Sequence, residues 1–112
     1  MKKLWFATLL LALGLTGPAL ADTNLVFAFW GDPPEVPPFQ TIADDYMKAH
    51  PDVHIELQNT PWSGYFTKLD AQLAAGVGPD VFFITNVPTY AARNQLEDLG
   101  PCIKKTNFPI DQ

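Results

Sequence analysis

Aromatic, carboxylate and amide side chains gather in three short stretches of this chain, each directly after a predicted strand. The stretches are residues 30–35, residues 59–64 with Tyr65 next to them, and residues 85–89. The apolar face of a pyranose stacks on Trp or Tyr rings, while carboxylates and amides form hydrogen bonds with its hydroxyl groups. This combination is the chemistry of carbohydrate binding. The residues that we predict to contact a ligand are Trp30, Gly31, Asp32, Glu35, Asn59, Trp62, Tyr65 and Asn86.

A structural role is the alternative for several of these residues. Trp62 and Tyr65 can pack under the helix that follows them, and Asp32 can form a turn with Pro33. Gly31 has a separate use, because a residue without a Cβ lets a ligand approach the backbone closely. Since the whole set falls at predicted strand ends, it favours a binding site that is mostly apolar with a few placed polar groups.

Other kinds of site find little support in the sequence. His50 and His54 lie four residues apart, but a proline between them breaks the helix that would align them on a metal. Asp44 and Asp45 are adjacent on a helix surface and do not converge as an acid–base pair. The glycines of residues 76–78 follow a helix and lack the third glycine of a dinucleotide-binding turn. We therefore predict no catalytic residue, no metal and no cofactor.

Three strands and three helices alternate in the predicted order strand, helix, strand, helix, strand, helix. Residues 25–30 and 81–84 are apolar throughout, which indicates strands covered on both faces. Residues 53–58 alternate between apolar and polar, so this strand has one wet face and belongs at a sheet edge. Two βαβ units with right-handed crossovers then give a parallel sheet of order 2-1-3. Its ligand site lies beyond the carboxyl ends of the strands.

The helices are predicted from apolar residues at helical spacing. Pro51 ends the first helix, Ser63 is a candidate cap for the second, and Pro88 suits the first turn of a third that runs to about Asn94. From Leu96 onward the pattern indicates irregular structure. The stripe of the first helix is Phe39, Ile42, Ala43, Tyr46 and Met47, and the buried stripe of the second is Phe66, Leu69, Leu73 and Val77.

Residues 1–21 have the layout of a secretory signal peptide, with cleavage after Ala21. Lys2 and Lys3 precede an apolar run over residues 4–15, and small residues occupy the positions before the cleavage site. An uncleaved membrane anchor is the alternative, but the run is shorter than the roughly 20 residues that a spanning helix needs. We expect export and cleavage.

The remaining residues, 22–112, carry five basic and twelve acidic side chains, because both leader lysines are removed from the seven basic residues of the chain. This surplus argues against nucleic acid as a partner, since binding to phosphates requires a positive patch. Cys102 is the single cysteine, so an internal disulfide is excluded. It is either a half-buried apolar residue or half of a bridge to a partner beyond this chain.

Several runs resemble the extracellular solute-binding proteins of family 1, the sugar receptors of ATP-driven ABC importers that include the maltose-binding type. The runs are PWSGYFTKL at 61–69, AAGVGPDV at 74–81, FWG at 29–31, YMKAHP at 46–51 and LEDL at 96–99. Their order and spacing extend over residues 24 to about 105.

The resemblance implies a type II periplasmic-binding-protein-like fold, in which two lobes close on a ligand. Residues 22–112 then correspond to an incomplete N-terminal lobe, because members of the family are several times longer. The loops 30–32 and 85–88 would contact sugar, and Pro79 and Asp80 would set the entry of the third strand. The resemblance further implies a periplasmic transport protein that delivers its solute to a membrane permease and is not an enzyme.

Two other functional interpretations are compatible with the sequence. One is a truncated remnant that retains the fold signals without function, and the other is a fragment of a secreted carbohydrate-active enzyme. An enzyme of that kind needs a separated pair of carboxylates in a cleft. The solute also stays open, since a polyol or glycerol phosphate fits the same residue types as a sugar.

Overall fold

The computed structural model of the chain describes residues 22–110, in which strands and helices alternate. The predicted signal peptide and its cleavage site lie outside these residues. Within them, no helix combines the length and apolar character needed to cross a membrane. The elements are β1 (Thr23–Trp30), a 3₁₀ turn (Pro33–Glu35), α1 (Val36–Ala49), β2 (Val53–Thr60), α2 (Trp62–Ala74), β3 (Val81–Phe82), α3 (Val87–Ala92) and α4 (Gly100–Thr106).

The three strands form a parallel sheet in the order β2-β1-β3, which confirms the predicted order. Trp30 pairs with Thr60 at the end of β2, and Ala28 pairs with Phe82 at the end of β3. All three carboxyl ends therefore lie along the same edge of the sheet. α/β folds of this winding place their ligands beyond that edge.

The alternating pattern of β2 gives the strand one partly buried face and one exposed face, as predicted. Its apolar residues Val53, Ile55 and Leu57 are partly buried, whereas His54 and Glu56 are exposed. β2 lies at one edge of the described sheet, where a strand with one wet face is stable.

The third strand is shorter than predicted. The apolar run predicts a strand over residues 81–84 in the sheet interior, but only Val81 and Phe82 pair with β1, and Val81 is largely exposed. The Phe83 N–H still donates to the Ala28 carbonyl at 3.0 Å, and the chain then leaves β1. Within residues 22–110, β3 therefore forms the second edge of the sheet.

Asp80 attaches β3 to β1 through both its backbone and its side chain. Its N–H donates to the Val26 carbonyl at 3.0 Å, and its Oδ2 accepts from the Val26 N–H at 2.8 Å. The carboxylate oxygen takes the place of a strand carbonyl. This confirms the structural role expected of Asp80 at the entry of the third strand.

One face of the sheet packs on α2. The buried residues there are Ala28, Tyr65, Leu69 and Tyr90, with Phe66 and Leu73 packed against them. α2 begins at Trp62 with Pro61 as its N-cap, so the prediction that Ser63 caps it is wrong.

The end of α2 shows why part of its predicted stripe is not buried. Gly76 adopts a positive φ of 71°, which glycine reaches without steric cost. The Gly76 N–H donates to Leu73 and the Val77 N–H to Gln72, the two bonds of a Schellman motif. The helix is thus over before Val77, which is 68% exposed instead of buried.

The other face of the sheet packs on α1. Rings of Phe27, Phe29, Phe39 and Phe83 contact one another with centroids 4.5 to 6.2 Å apart. Further along α1, Ala43 is buried, but Ile42 is 66% exposed and Tyr46 is half-exposed. These two residues line an open groove of about 200 Å³ beside the amino-terminal half of β1.

The last two helices complete the described chain. α3 confirms the predicted third helix, although it ends at Ala92. The irregular structure expected after Leu96 is wrong in part, because α4 forms with a proline in its first turn and ends at Asn107 in a left-handed conformation. A helix of this length is too short to show an apolar period, so no periodic signal marks it in the sequence.

Candidate functional site

The carboxyl edge of the sheet brings together the segments that follow β1, β2 and β3. Trp30 ends β1 and is paired with Thr60, the last residue of β2. The segment after β3 reaches the same place, since the rings of Phe83 and Trp30 are in contact with centroids 5.1 Å apart. The segments that contain the predicted site residues therefore meet at one edge of the sheet, as the order 2-1-3 requires.

The loop after β1 is held by two side chains from the predicted set. Asn59 donates from Nδ2 to the Gly31 carbonyl at 3.2 Å. The Asp32 N–H donates to Glu35 Oε2 at 2.7 Å, which draws the Glu35 carboxylate back over the loop. Gly31, Asp32, Glu35 and Asn59 thus form one hydrogen-bonded group at the end of β1.

Gly31 is buried under this group, and its lack of a side chain matters. A Cβ at that position would lie 3.1 Å from Glu35 Oε2 and 3.6 Å from Asn59 Nδ2. The close approach that the glycine permits is used by the protein's own carboxylate and amide. A Cβ at residue 31 would require the Glu35 carboxylate to shift by a few tenths of an ångström.

Trp62 presents an accessible aromatic ring at the same edge of the sheet, where it contacts Trp30, the residue before Gly31. It is the first residue of α2 and is 57% exposed. Its ring is perpendicular to those of Trp30 and Phe66, with centroids 5.1 and 5.3 Å away. The Trp30 and Phe66 rings also contact each other at 5.7 Å, so the three rings form one cluster. A T-shaped aromatic pair of this kind orients the outer ring while leaving much of it open to solvent.

Tyr65 has a different position from Trp62. Its side chain is 2% exposed, and its hydroxyl lies 3.0 Å from the Ala28 carbonyl and 2.9 Å from the Phe83 carbonyl. Burial raises the pKa of the Tyr65 hydroxyl to about 12, although the hydrogen bond to Phe83 opposes this. Tyr65 therefore ties β1 to the segment after β3, and its ring supports Trp30 from behind at 5.3 Å. Tyr65 therefore has the structural role that was the alternative to ligand contact, since it packs in the core under α2.

Asn86 caps α3 and stands apart from the hydrogen-bonded group. Its side-chain oxygen accepts from the Thr89 N–H at 3.2 Å, while the residue as a whole is exposed. An N-cap of this type stabilises the first turn of a helix. The side-chain oxygen of Asn86 therefore stabilises the start of α3, in the segment that follows β3.

One cation near this edge is absent from the predicted set. The Lys68 ammonium lies 3.5 Å from Thr60 Oγ1, at the end of β2. Helical spacing does not indicate this position, because Trp62 and Lys68 are six residues apart in α2 and side chains at that separation lie on different faces of a helix. Among residues 22–110, no group of three or more His, Cys, Asp or Glu side chains is arranged to hold a metal.

The comparisons with known proteins point to one family. The model of that family, described as bacterial extracellular solute-binding protein, matches residues 30–112. A solved extracellular solute-binding protein family 1 from Alicyclobacillus acidocaldarius is 33% identical, with a TM-score of 0.67. The match covers 70% of this chain and 21% of that protein.

Two further solved structures share the fold. An ABC substrate-binding protein from Listeria monocytogenes, in complex with cycloalternan, is 27% identical over 79% of this chain and 23% of its own, with a TM-score of 0.70. A periplasmic oligogalacturonide binding protein from Yersinia enterocolitica, in complex with saturated digalacturonic acid, is 24% identical over 74% of this chain and 21% of its own, with a TM-score of 0.66. The chain spans little more than a fifth of the length of each of these proteins.

Proposed function

The chain belongs to the family of bacterial extracellular solute-binding proteins, and on that premise we propose that residues 22–112 form part of the first lobe of a sugar receptor. The receptor captures an oligosaccharide or a related small solute outside the cytoplasm and delivers it to the permease of an ABC importer. Residues 1–21 act as the signal that exports it and are removed after Ala21. The family is described as one of solute-binding proteins, and we propose that this chain likewise binds its solute without transforming it.

The observation that supports the proposal is the exposed Trp62 ring at the carboxyl edge of a parallel sheet. The polar residues Asp32, Glu35 and Asn59 belong to strand-end segments of the same edge. Trp30 and Phe66 hold the ring in place. An apolar sugar face that stacks on Trp62 leaves the ring hydroxyls at its rim free for Asp32, Glu35 and Asn59. Hydrogen bonds to charged groups are the stronger ones, so the carboxylates would fix the orientation of the sugar.

Each remaining member of the predicted set has a supporting task in this proposal. Gly31 has no Cβ that would obstruct the Glu35 carboxylate, and the Trp30 ring packs against the Trp62 ring on which the sugar would stack. Tyr65 holds the two strand ends at a constant separation through its hydroxyl. Asn86 begins α3 at the third strand end, where its amide nitrogen is a further donor for a ligand.

Related proteins support the choice of a sugar. The Listeria protein, which is 27% identical, is solved in complex with cycloalternan. We infer by analogy that a second lobe completes the site and closes on the ligand, as expected of a type II periplasmic-binding-protein-like receptor. The half-site on this chain alone then binds weakly, because a sugar would be enclosed from one side only.

Substitution of Trp62 tests the proposal. In the Trp62→Ala chain we expect affinity for an uncharged trisaccharide such as maltotriose to fall about tenfold, because burial of roughly 55 Å² of apolar surface against the indole is worth about 1.4 kcal/mol. Binding is followed by NMR titration of the tryptophan indole N–H signals, which detects millimolar affinity. The Trp30 signal reports binding in the variant.

The matched control is Val77→Ala, which truncates another exposed apolar side chain away from the strand ends. Equal losses in both variants would contradict a role for Trp62. A folded chain that shows no titration would favour the non-functional remnant, and release of reducing ends from the trisaccharide would favour the carbohydrate-active enzyme.

A further inference from the structure

We propose that the half-site on this chain selects uncharged oligosaccharides against acidic ones, and that Asp32 and Glu35 are the residues that impose this selection. The inference rests on the proposed function, because it concerns the ligand of the same site. It adds a charge preference that neither the family match nor the fold determines, since a protein of similar fold is solved with saturated digalacturonic acid.

The strand-end segments 30–35, 59–64 and 85–89 contain charge of one sign only. Their charged residues are Asp32 and Glu35, and both follow β1. The remaining polar groups of the segments are amides and hydroxyls, which pair with sugar hydroxyls and do not neutralise a carboxylate. A uronic acid bound at these strand ends would bring its carboxylate to segments whose charged residues are both negative.

The Glu35 carboxylate is hydrogen-bonded at the loop after β1. Its Oε2 accepts from the Asp32 N–H at 2.7 Å, and the same oxygen lies over Gly31, where a Cβ would be only 3.1 Å away. This hydrogen bond joins the Glu35 carboxylate to the loop after β1, to which Asp32 itself belongs. The negative charge is thus held at the strand ends by backbone geometry.

Lys68 is the cation that the described part of the chain places near this edge, and it does not cancel the two carboxylates. Its ammonium lies at Thr60, on the side of the edge where β2 ends and α2 begins. It leaves one negative charge in excess. Since residues 22–112 carry twelve acidic and five basic side chains, the field of the chain as a whole adds to the repulsion of anions.

The expected size of the effect follows from screened Coulomb repulsion. Two like charges a few ångströms apart at a solvent-exposed surface repel by about 1 kcal/mol, which corresponds to about fivefold in affinity. We therefore expect the double variant Asp32→Asn with Glu35→Gln to bind digalacturonic acid at least about fivefold more tightly than the unaltered chain. Both replacements keep a carbonyl oxygen, so the side-chain amide introduced by Glu35→Gln can still accept from the N–H of residue 32.

The matched control is Asp44→Asn with Asp45→Asn, which changes the net charge equally on the exposed surface of α1, away from the strand ends. Each chain is titrated with maltotriose and with digalacturonic acid at neutral pH and low salt, by the indole NMR signals. Selection by the site predicts tighter binding of maltotriose than of digalacturonate in the unaltered and control chains. Only the strand-end variant should gain affinity for the acid, and added salt should reduce that gain.

The possible results separate this inference from the function on which it rests. If digalacturonate binds as tightly as maltotriose to the unaltered chain, the charge selection is wrong although the receptor function stands. If the control gains as much as the strand-end variant, net charge and not the site is responsible, and the assignment to Asp32 and Glu35 is wrong. If neither sugar shifts the signals of the folded chain, the proposed function fails and this inference fails with it.

Discussion

The two faces of the sheet are built from similar residues but are closed to very different degrees. On the α2 face, Leu69 and Tyr65 are almost completely buried. On the α1 face, Phe29 is fully buried at the carboxyl half of β1, yet Ile42 and Tyr46 of the apolar stripe remain exposed along an open groove at its amino-terminal half. A stripe of apolar residues therefore predicts which side of a helix faces the sheet, but not how much of it is covered.

A polar anchor distinguishes the closed face. The Tyr65 hydroxyl reaches across from α2 to carbonyls of β1 and of the segment after β3. A buried hydrogen bond of this kind fixes the distance between elements as well as stabilising them. The α1 face relies on contacts between phenylalanine rings, which are concentrated at the carboxyl half of β1. Stability and site geometry should thus depend most on the α2 face.

The largest effect should come from removing the centre of that face. Leu69→Ala is expected to lower the free energy of unfolding by about 2–4 kcal/mol, because it deletes a fully buried side chain and leaves a cavity. Ile42→Ala on the α1 face should change it by less than about 0.5 kcal/mol, since that side chain is mostly in solvent. Urea unfolding followed by circular dichroism measures both. Equal losses would remove the distinction between the two faces.

Tyr65→Phe should have an intermediate effect of about 1–2 kcal/mol, because it leaves buried carbonyls with one donor fewer. Its pH dependence is a sharper test. Burial raises the pKa of Tyr65 to about 12 from 10.0, so the folded chain retains the phenolic proton that the unfolded chain loses. The stabilising contribution is complete below pH 10 and is lost as the pH rises towards 12.

Unfolding measured between about pH 9 and pH 12 should therefore show a smaller decline in the Tyr65→Phe chain. Tyr90→Phe is the control, because burial and the adjacent Asp70 also raise the Tyr90 pKa. A decline that is unaffected by Tyr65→Phe but removed by Tyr90→Phe would show that Tyr65 is not the source of the alkaline sensitivity.

The smallest effect should be at the edge next to the groove. Asp80→Ala removes the Oδ2 acceptor of the Val26 N–H and should cost about 1 kcal/mol, whereas Asp80→Asn keeps an acceptor oxygen and should cost less. Amide hydrogen exchange at Val26 reports the bond directly. Faster exchange in the alanine chain alone is expected, and unchanged exchange in both would show that the backbone bond from Asp80 suffices.

Much of the fold was predictable from local patterns. Unbroken apolar runs and strict alternation identified β1 and β2, and together with the handedness of βαβ units they determined the order β2-β1-β3. The errors in the prediction of β3, α2 and α4 each have a local structural cause that hydrophobic patterns do not show. β3 leaves β1 after two residues, Gly76 ends α2 before Val77, and α4 is too short to display a period.

The candidate site was predictable as a location but not as a set of equivalent residues. Residue types and strand ends placed Trp62 and Tyr65 side by side in the prediction. The structure separates them, since α2 directs Trp62 to solvent and Tyr65 into the core. The hydrogen bonds that hold Gly31 beneath Glu35 and Asn59 were likewise not readable from spacing.

The sequence by itself determined the winding of the chain, because the periods of about 2 and 3.6 residues and the handedness of crossovers act over short stretches. It also determined which segments meet at the carboxyl edge, since parallel strands must end together. Only the tertiary structure decided which aromatic ring is exposed, which face of the sheet is closed and where the carboxylates are held. Those outcomes depend on contacts between residues distant in the chain, such as Tyr65 with Ala28 and Asn59 with Gly31, and no local pattern encodes such distances.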